Sequence, residues 1–170
     1  MRAFYKAGEY GMKNSIGYMI RRTGSLLVPQ LETLFADADL TFSQWTVLMV
    51  LREWQSANSA EIARHICHDA GSLARVMEQL EKRGLIARSR NEDDRRLVTL
   101  TLTARGRAMV EGLIPKVVAY WNELLSDFSD SEARALLKLL ARLTEAAEKA
   151  ESRPRRAAKP ASKSRAKVPA

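Results

Sequence analysis

The residues best suited to chemistry in this sequence form a short run of small side chains around an arginine. Gly71, Ser72 and Ala74 are small, and Arg75 follows directly. Small side chains let a helix approach another molecule closely, and a serine hydroxyl can bond a phosphate or a base edge. An arginine can bind guanine through two hydrogen bonds. We therefore treat this run as a candidate contact to the major groove of DNA, and a solvated surface arginine is the alternative.

A second group of candidate residues lies in the charged segment 91–96. Arg95 and Arg96 are predicted at the tip of a hairpin, with Arg88 at its base. A narrow minor groove concentrates negative potential and attracts arginine. Asp94 does not help to attract phosphate, but an acid can hold a guanidinium in place by charge-assisted hydrogen bonds. The alternative is a solvated hairpin tip.

Other polar residues are weaker candidates. Those that could support phosphate binding are Ser43, Gln44, Arg64, Lys82 and Arg83. His65, Cys67 and His68 are metal-ligand types, but their spacing does not make a compact zinc site and no fourth ligand is evident. We predict no metal and no cofactor. Because no nucleophile elbow, glycine-rich phosphate loop or paired carboxylate appears, we also predict that the protein is not an enzyme.

Periodicity and capping predict the elements that position these residues. We expect helices over about 14–36, 41–54, 60–66, 70–83, 104–126 and 130–149, and strands over 85–90 and 97–102. Thr41 with Gln44, and Ser129 with Glu132, have the spacing of capping boxes. The other local predictions are a cap at Ser59, a turn over 55–58, a bend at Pro115, and a kink or break at Pro29. Two short helices followed by a long hairpin predict a winged helix-turn-helix, whose second helix enters the major groove.

The charge of the chain is unevenly distributed. The 170 residues carry a net charge of +8, and the isoelectric point is near 9.9. Residues 151–170 hold seven basic residues and one acid, so +6 belongs to this tail, which we predict to be disordered. The single cysteine, Cys67, excludes an intramolecular disulfide. No apolar run reaches the roughly 20 residues that span a bilayer, so we expect no membrane partner and a cytoplasmic, nucleoid-associated protein.

The long first, fifth and sixth helices need a partner for their apolar faces. The sixth is dense in leucine, at Leu136, Leu137, Leu139, Leu140 and Leu143. A second copy of the chain is the simplest cover, so we predict a homodimer. The predicted fold is mainly α, a winged helix-turn-helix with long N- and C-terminal helices that form a dimerisation bundle. The domains would be an extended arm (1–13), a folded domain (14–150) with its DNA-binding core at 41–103 and dimerisation helices at 14–36 and 104–149, and the tail (151–170).

Three segments resemble the multiple antibiotic resistance regulator (MarR) family. They are LTFSQWTVLMVL (40–51), DAGSLARVMEQLEKRGLIAR (69–88) and DDRRLVTLTLTARG (93–106), within a similarity that spans about 14–148. The resemblance implies a triangular homodimer, usually a repressor of nearby genes, often released by a small ligand or an oxidant. It places Arg96 in the minor groove with Asp94 orienting it, and a Glu78–Arg96 pair occurs in some relatives. It also implies a ligand pocket where the dimer helices meet the winged domain. Tyr18, Arg22, Trp45 and Met49 could line this pocket, since an aromatic wall and a cation suit a phenolic carboxylate.

Three functions remain open at this point. The first is a sequence-specific regulator that binds double-stranded DNA at a pseudo-palindromic operator. The second is a non-specific architectural DNA-binding protein whose tail does the binding, and the third is a winged-helix module for protein interactions. The exposed arginines predicted at 75, 95 and 96 favour DNA. For Trp45 and Met49, a place in the core is the alternative to the pocket.

Overall fold

The computed structural model describes residues 3–66, 70–90 and 98–152. The chain divides into two compact units, Met1–Trp121 and Asn122–Ala170. The element order confirms a mainly helical winged helix-turn-helix. The helices are α1 (Ile16–Ala36), α2 (Phe42–Trp54), α3 (Ser59–Ile66), α4 (Ala70–Lys82), α5 (Ala104–Leu124) and α6 (Asp130–Glu151), and the strands are β1 (Ser56–Asn58), β2 (Ile86–Arg90) and β3 (Val98–Leu102).

The N-terminal segment is not the extended arm that the sequence predicts. It contains two short 3-10 turns, Ala7–Glu9 and Met12–Asn14. The backbone N–H of Ile16 donates to the hydroxyl of Tyr5 at 2.9 Å, and the hydroxyls of Tyr10 and Ser15 lie 2.7 Å apart. The first N–H groups of a helix lack partners within the helix. The two tyrosines therefore tie the segment back to the start of α1.

The sheet has three antiparallel strands in the order β1-β3-β2. The prediction of a turn over 55–58 is wrong, because Ser56–Asn58 pairs with β3 and places Ala57 opposite Leu100. Ser, Ala and Asn have little preference for strands. Both Ala57 and Leu100 are buried, so tertiary pairing with β3 decides the conformation of this segment.

The capping predictions are confirmed for two helices and wrong for a third. Thr41 with Gln44 caps α2, and Ser129 with Glu132 caps α6. Ser59 is the first residue of α3 rather than its cap. Asn58 takes that role: its Oδ1 accepts from the N–H of Glu61 at 2.9 Å, and its own N–H donates to Glu61 Oε2 at 2.8 Å. The cap is therefore one residue earlier than predicted.

Both internal prolines lie within continuous helices. α1 runs through Pro29 and α5 through Pro115, so the predicted division of the first helix at Pro29 does not occur. A proline leaves the carbonyl four residues earlier without its helical donor. Those residues, Ser25 and Glu111, are exposed, and water can satisfy their carbonyl groups.

The core of the first unit lies between α1, α2, α4 and the sheet. Phe35 is fully buried and stacks on Trp45 with ring centroids 4.9 Å apart. Leu73 and Leu80 of α4 and Val110 of α5 are also buried. This core holds α4 by one face. Across the described residues, no helix is long and apolar enough to cross a membrane.

Candidate nucleic-acid interface

The two faces of α4 differ sharply. The predicted inward residues Leu73, Met77 and Leu80 are buried, and Val76 packs against them half-buried. The predicted outward residues Gly71, Ser72, Ala74 and Arg75 are all exposed. The buried face fixes the helix on the protein, and the small side chains of the other face leave its backbone open to close approach.

Arg75 is an exposed cation in the N-terminal half of α4. It lies in the second turn of the helix, and within the described parts of the chain it forms no salt bridge. Helix-turn-helix proteins contact base edges with the N-terminal residues of the second helix. The guanidinium therefore stands where an anion or a guanine edge could bind it.

The base of the wing is tied to α4 by an ion pair that the sequence reasoning missed. Arg88 Nε of β2 lies 2.8 Å from Glu81 Oε2, and each side chain is 40% exposed. Arg88, predicted as a DNA contact, is thus engaged by the protein. The sequence signal for this pair was an arginine in a predicted strand, seven residues after a glutamate in the preceding helix. The tip residues Asp94, Arg95 and Arg96 lie outside the described residues.

Glu78 pairs with a residue of its own helix. Its Oε1 lies 2.8 Å from Lys82 Nζ one turn later. This hydrogen bond is the main reason why the pKa of Glu78 lies below its ordinary value. The pair with Arg96 that the resemblance implies falls outside the described residues. The helix-to-wing contact that the structure does describe is Glu81–Arg88.

Gln44 needs correction as a phosphate contact. It is buried at 5% exposure, its Oε1 accepts from the N–H of Thr41 at 3.0 Å, and its Nε2 donates to Gln79 Oε1 at 2.9 Å. Both ends of the amide are thus used inside the protein. Of the other supporting candidates, Ser43 is half-buried near the start of α2, and Arg64 is exposed with Nε donating to Ala60 O at 3.3 Å.

A close backbone contact joins the end of α4 to the start of α5. Thr103 Oγ1 lies 2.7 Å from Gly84 O, and the Thr103 N–H donates to Leu85 O at 3.1 Å. The same hydroxyl accepts from the N–H of Gly106 at 3.0 Å and so caps α5. A Cβ on Gly106 would stand 2.0 Å from Leu85 O. These contacts explain why a threonine stands at 103 and a glycine at 106.

The four residues of the predicted effector pocket are not brought together within one chain. Trp45 is a core residue stacked on Phe35, and Met49 packs half-buried against the same core. Tyr18 lies 17 residues before Phe35 on α1, a distance of about 25 Å along a helix. The pocket prediction is therefore corrected. Trp45 and Met49 are core residues, whereas half-buried Tyr18 and exposed Arg22 lie at the other end of α1.

An open cleft of about 680 Å³ lies elsewhere, where the end of α1, the start of α2 and the end of α4 meet. Its lining includes both amides of the Gln44–Gln79 pair and the apolar side chains of Ala36 and Leu40. The lining residues are Glu32, Ala36, Asp39, Leu40, Thr41, Gln44, Gln79, Lys82 and Arg83.

The histidine of α3 has an aromatic neighbour. The rings of His65 and Trp54 lie 4.7 Å apart at the centroids. The other two residues of the His-Cys-His cluster, Cys67 and His68, lie outside the described residues. Among the residues that are described, no three of His, Cys, Asp and Glu form a group that could hold a metal ion.

Sequence comparison places this architecture among transcriptional regulators. The model of the MarR family matches residues 40–98. The chain is 30% identical over 114 residues to an HTH-type transcriptional regulator of Bacillus cereus, which covers 66% of this chain and 76% of the relative. It is 29% identical over 128 residues to the HTH-type transcriptional repressor Rv2887 of Mycobacterium tuberculosis, covering 75% of this chain and 92% of the relative.

Solved structures agree with the sequence relatives. BpsR of Bordetella bronchiseptica, whose structure concerns regulation of DNA binding by 6-hydroxynicotinic acid, is 28% identical with a TM-score of 0.71, covering 81% of this chain and 98% of that one. A mutant MarR from E. coli complexed with operator DNA is 26% identical with a TM-score of 0.67, covering 75% and 92%. The exposed face of α4 fits the DNA-binding role of these relatives. The chain belongs to the MarR family of DNA-binding transcriptional regulators.

Proposed function

We propose that this protein is a homodimeric repressor that binds a pseudo-palindromic operator and is released by a small aromatic carboxylate. The observation that carries the proposal is the division of α4 into a buried apolar face and an exposed face of Gly71, Ser72, Ala74 and Arg75. A helix held on one side, with small residues and one arginine on the other, suits insertion into a major groove.

The proposed complex follows from two-fold symmetry. Two copies of α4 occupy successive major grooves about 34–36 Å apart, so the operator repeats across a two-fold axis. The wing tip lies in the adjoining minor groove, with Arg96 inserted and Asp94 bracing it. In this arrangement residues 41–103 form the DNA-binding core, and residues 14–36 and 104–149 form the dimerisation helices. The solved complex of a MarR mutant with operator DNA supports DNA binding by a protein of this fold.

The homodimer is supported by apolar side chains that the single chain leaves exposed. No described residue of α6 is buried, and Leu137 and Leu139 are 70% and 59% exposed. On α1, Met19 and Ile20 are about half exposed. Large apolar side chains that are exposed together on one helix mark an interaction site. A second copy supplies a matching surface by symmetry.

The test of DNA reading compares two cation deletions on the same helix. The operator is first selected from random duplexes with the full-length protein. Arg75→Ala should weaken operator binding by about 1–3 kcal/mol and relax selection at one base position per half-site. Lys82→Ala, two turns later on α4, also removes one positive charge but should leave base selection unchanged. If Arg75→Ala selects the same sequence with the same affinity, α4 does not read bases as proposed.

A footprint separates the regulator from the architectural alternative. Protection of one short palindrome supports the regulator, and uniform coverage of the duplex supports non-specific binding. A folded protein that ignores duplex DNA would instead support the protein-interaction module.

The dimer is tested by the same acidic substitution on two faces of α6. Leu140 shares a helical face with Leu136 and Leu143, whereas Lys138 lies opposite. Leu140→Asp should yield monomers, because an unpaired charge is costly to desolvate. Lys138→Asp should remain dimeric in sedimentation velocity. A folded wild-type monomer at micromolar concentration would contradict the proposal.

The proposed release from DNA by an aromatic carboxylate is suggested by the ligand of a structural neighbour. Regulation of BpsR involves 6-hydroxynicotinic acid, an aromatic carboxylate. Added hydroxynicotinate should raise the operator Kd of this protein in a saturable way, and the non-aromatic carboxylate acetate at equal concentration should not. If hydroxynicotinate has no effect and peroxide lowers affinity in the wild type but not in Cys67→Ser, release is oxidative.

A further inference from the structure

On one flank, polar contacts join the C-terminal end of α4 to the corner between α1 and α2. We propose that Arg83 and the Gln44–Gln79 pair are positioning residues, which set the orientation in which α4 reads DNA. The inference rests on the proposed function of α4. It concerns residues at the end of the helix away from the proposed base contacts.

Arg83 binds the turn that follows α1. Its Nη2 donates to Ala38 O at 2.9 Å, and its Nη1 donates to Asp39 O. Its side chain is only 25% exposed, and the carboxylate of Asp39 lies 3.8 Å away. A guanidinium that donates to two backbone carbonyls forms charge-assisted bonds with fixed geometry. Arg83, directly after α4, therefore links the end of that helix to the turn between α1 and α2.

The Gln44–Gln79 pair makes a second link one turn earlier on α4. Residues 79 and 83 share a helical face, so both links act on the same side. Gln44 is buried and is held by its own capping bond to Thr41. Its remaining donor, Nε2, meets Gln79 Oε1 at 2.9 Å. A fixed donor of this kind defines where Gln79, and with it the helix, can lie.

The neighbouring cleft shows why these links matter. The open space of about 680 Å³ lies against Gln79, Lys82 and Arg83. Apolar packing is close on the other flank of α4, where Leu80 and Met77 are buried. On the cleft side, open space lies beside the helix, and Gln79 and Arg83 make hydrogen bonds to Gln44, Ala38 and Asp39. The orientation on that side then depends on directional hydrogen bonds, and their removal would misalign the base-contacting residues without unfolding the core.

The experiment compares neighbouring substitutions in the full-length protein. Arg83→Met and Lys82→Met each remove one positive charge from the end of α4, but Lys82 is 73% exposed and contacts only Glu78 among its described salt bridges. Gln79→Leu removes the partner of Gln44 at an exposed position, and Gln79→Glu keeps an acceptor for Gln44 Nε2. For each variant we would measure melting temperature and affinity for the selected operator and for a random duplex of equal length.

We expect the operator-to-random affinity ratio to fall about tenfold in Arg83→Met and Gln79→Leu, as for one misaligned base contact. Lys82→Met should leave the ratio unchanged, and Gln79→Glu should restore it. An unchanged ratio in folded Gln79→Leu would overturn the inference, even if Arg83→Met failed to fold. An equal fall in Lys82→Met would also overturn it, because the effect would be one of charge. Failure of the proposed function is distinct, since Arg75→Ala would then also leave the ratio unchanged.

Discussion

Gly106 lets the first turn of α5 lie directly on the backbone of Leu85, and an alanine there should destabilise the protein. The added Cβ would stand 2.0 Å from Leu85 O and 2.9 Å from Leu85 C. Leu85 cannot easily move away. Its side chain is fully buried, its N–H donates to Leu80 O at 3.0 Å, and its carbonyl accepts from Thr103 at 3.1 Å. The strain therefore has to separate α5 from the end of α4.

Three contributions set the change in the free energy of unfolding that Gly106→Ala should cause. Overpacking a tight site costs about 1–3 kcal/mol. Separation of α5 also weakens the two contacts from Thr103 to Leu85 O, each worth about 0.5–1.5 kcal/mol. Against these, alanine is favoured over glycine in a helix by up to about 1 kcal/mol. We expect Gly106→Ala to lower the free energy of unfolding by about 3 kcal/mol, within the range of these three contributions.

The assay is urea unfolding followed by circular dichroism. Protein concentration is held constant, because the stability of a dimer depends on it. The matched control is Gly112→Ala on the same helix, where an added Cβ meets nothing within 4 Å. That variant should gain up to about 1 kcal/mol. If Gly106→Ala unfolds at the same urea concentration as Gly112→Ala, the close approach of the two backbones does not constrain the fold.

Three further predictions concern a turn, an ion pair and the tail. Gln55 ends α2 with φ 64°, so Gln55→Gly should stabilise the protein by about 1 kcal/mol and raise its melting temperature, and a lower melting temperature would contradict this. The hydrogen bond from Arg52 at 2.8 Å lowers the pKa of Glu111 below its ordinary 4.5. The folded state therefore binds fewer protons, and the stability that Glu111 adds is present above pH 4.5 and disappears as pH falls through the lowered pKa. The gap in urea midpoint between wild type and Glu111→Gln should accordingly shrink from pH 7 to pH 3, and a constant gap would count against the linkage. Deletion of 151–170 should flatten the slope of log affinity against log salt by about 0.9 for each phosphate that the tail neutralises. The change should be equal on operator and random DNA. Identical slopes for full-length and truncated protein would show that the tail does not bind DNA.

Local sequence signals determined much of the helical framework. The capping boxes at Thr41 and Ser129 each depend on a residue three positions later, and both form as predicted. The apolar spacing of α4 fixed which of its faces is buried, and hence that Arg75 is exposed. These features were readable because the interacting residues are at most a few positions apart, so the pattern itself contains the partner.

Tertiary contacts decided what the short-range pattern does not contain. Ser56–Asn58 became a strand because β3, more than 40 residues later, supplied the pairing. Gln44 turned inward to Gln79, 35 residues away. Trp45 entered the core by stacking on Phe35, which took it out of the predicted pocket. In each case the preference of the residue is weak or divided, and the partner that settles it is brought near only when the chain folds. The sequence therefore determined which face of α4 is exposed, and the tertiary structure decided how that helix is held.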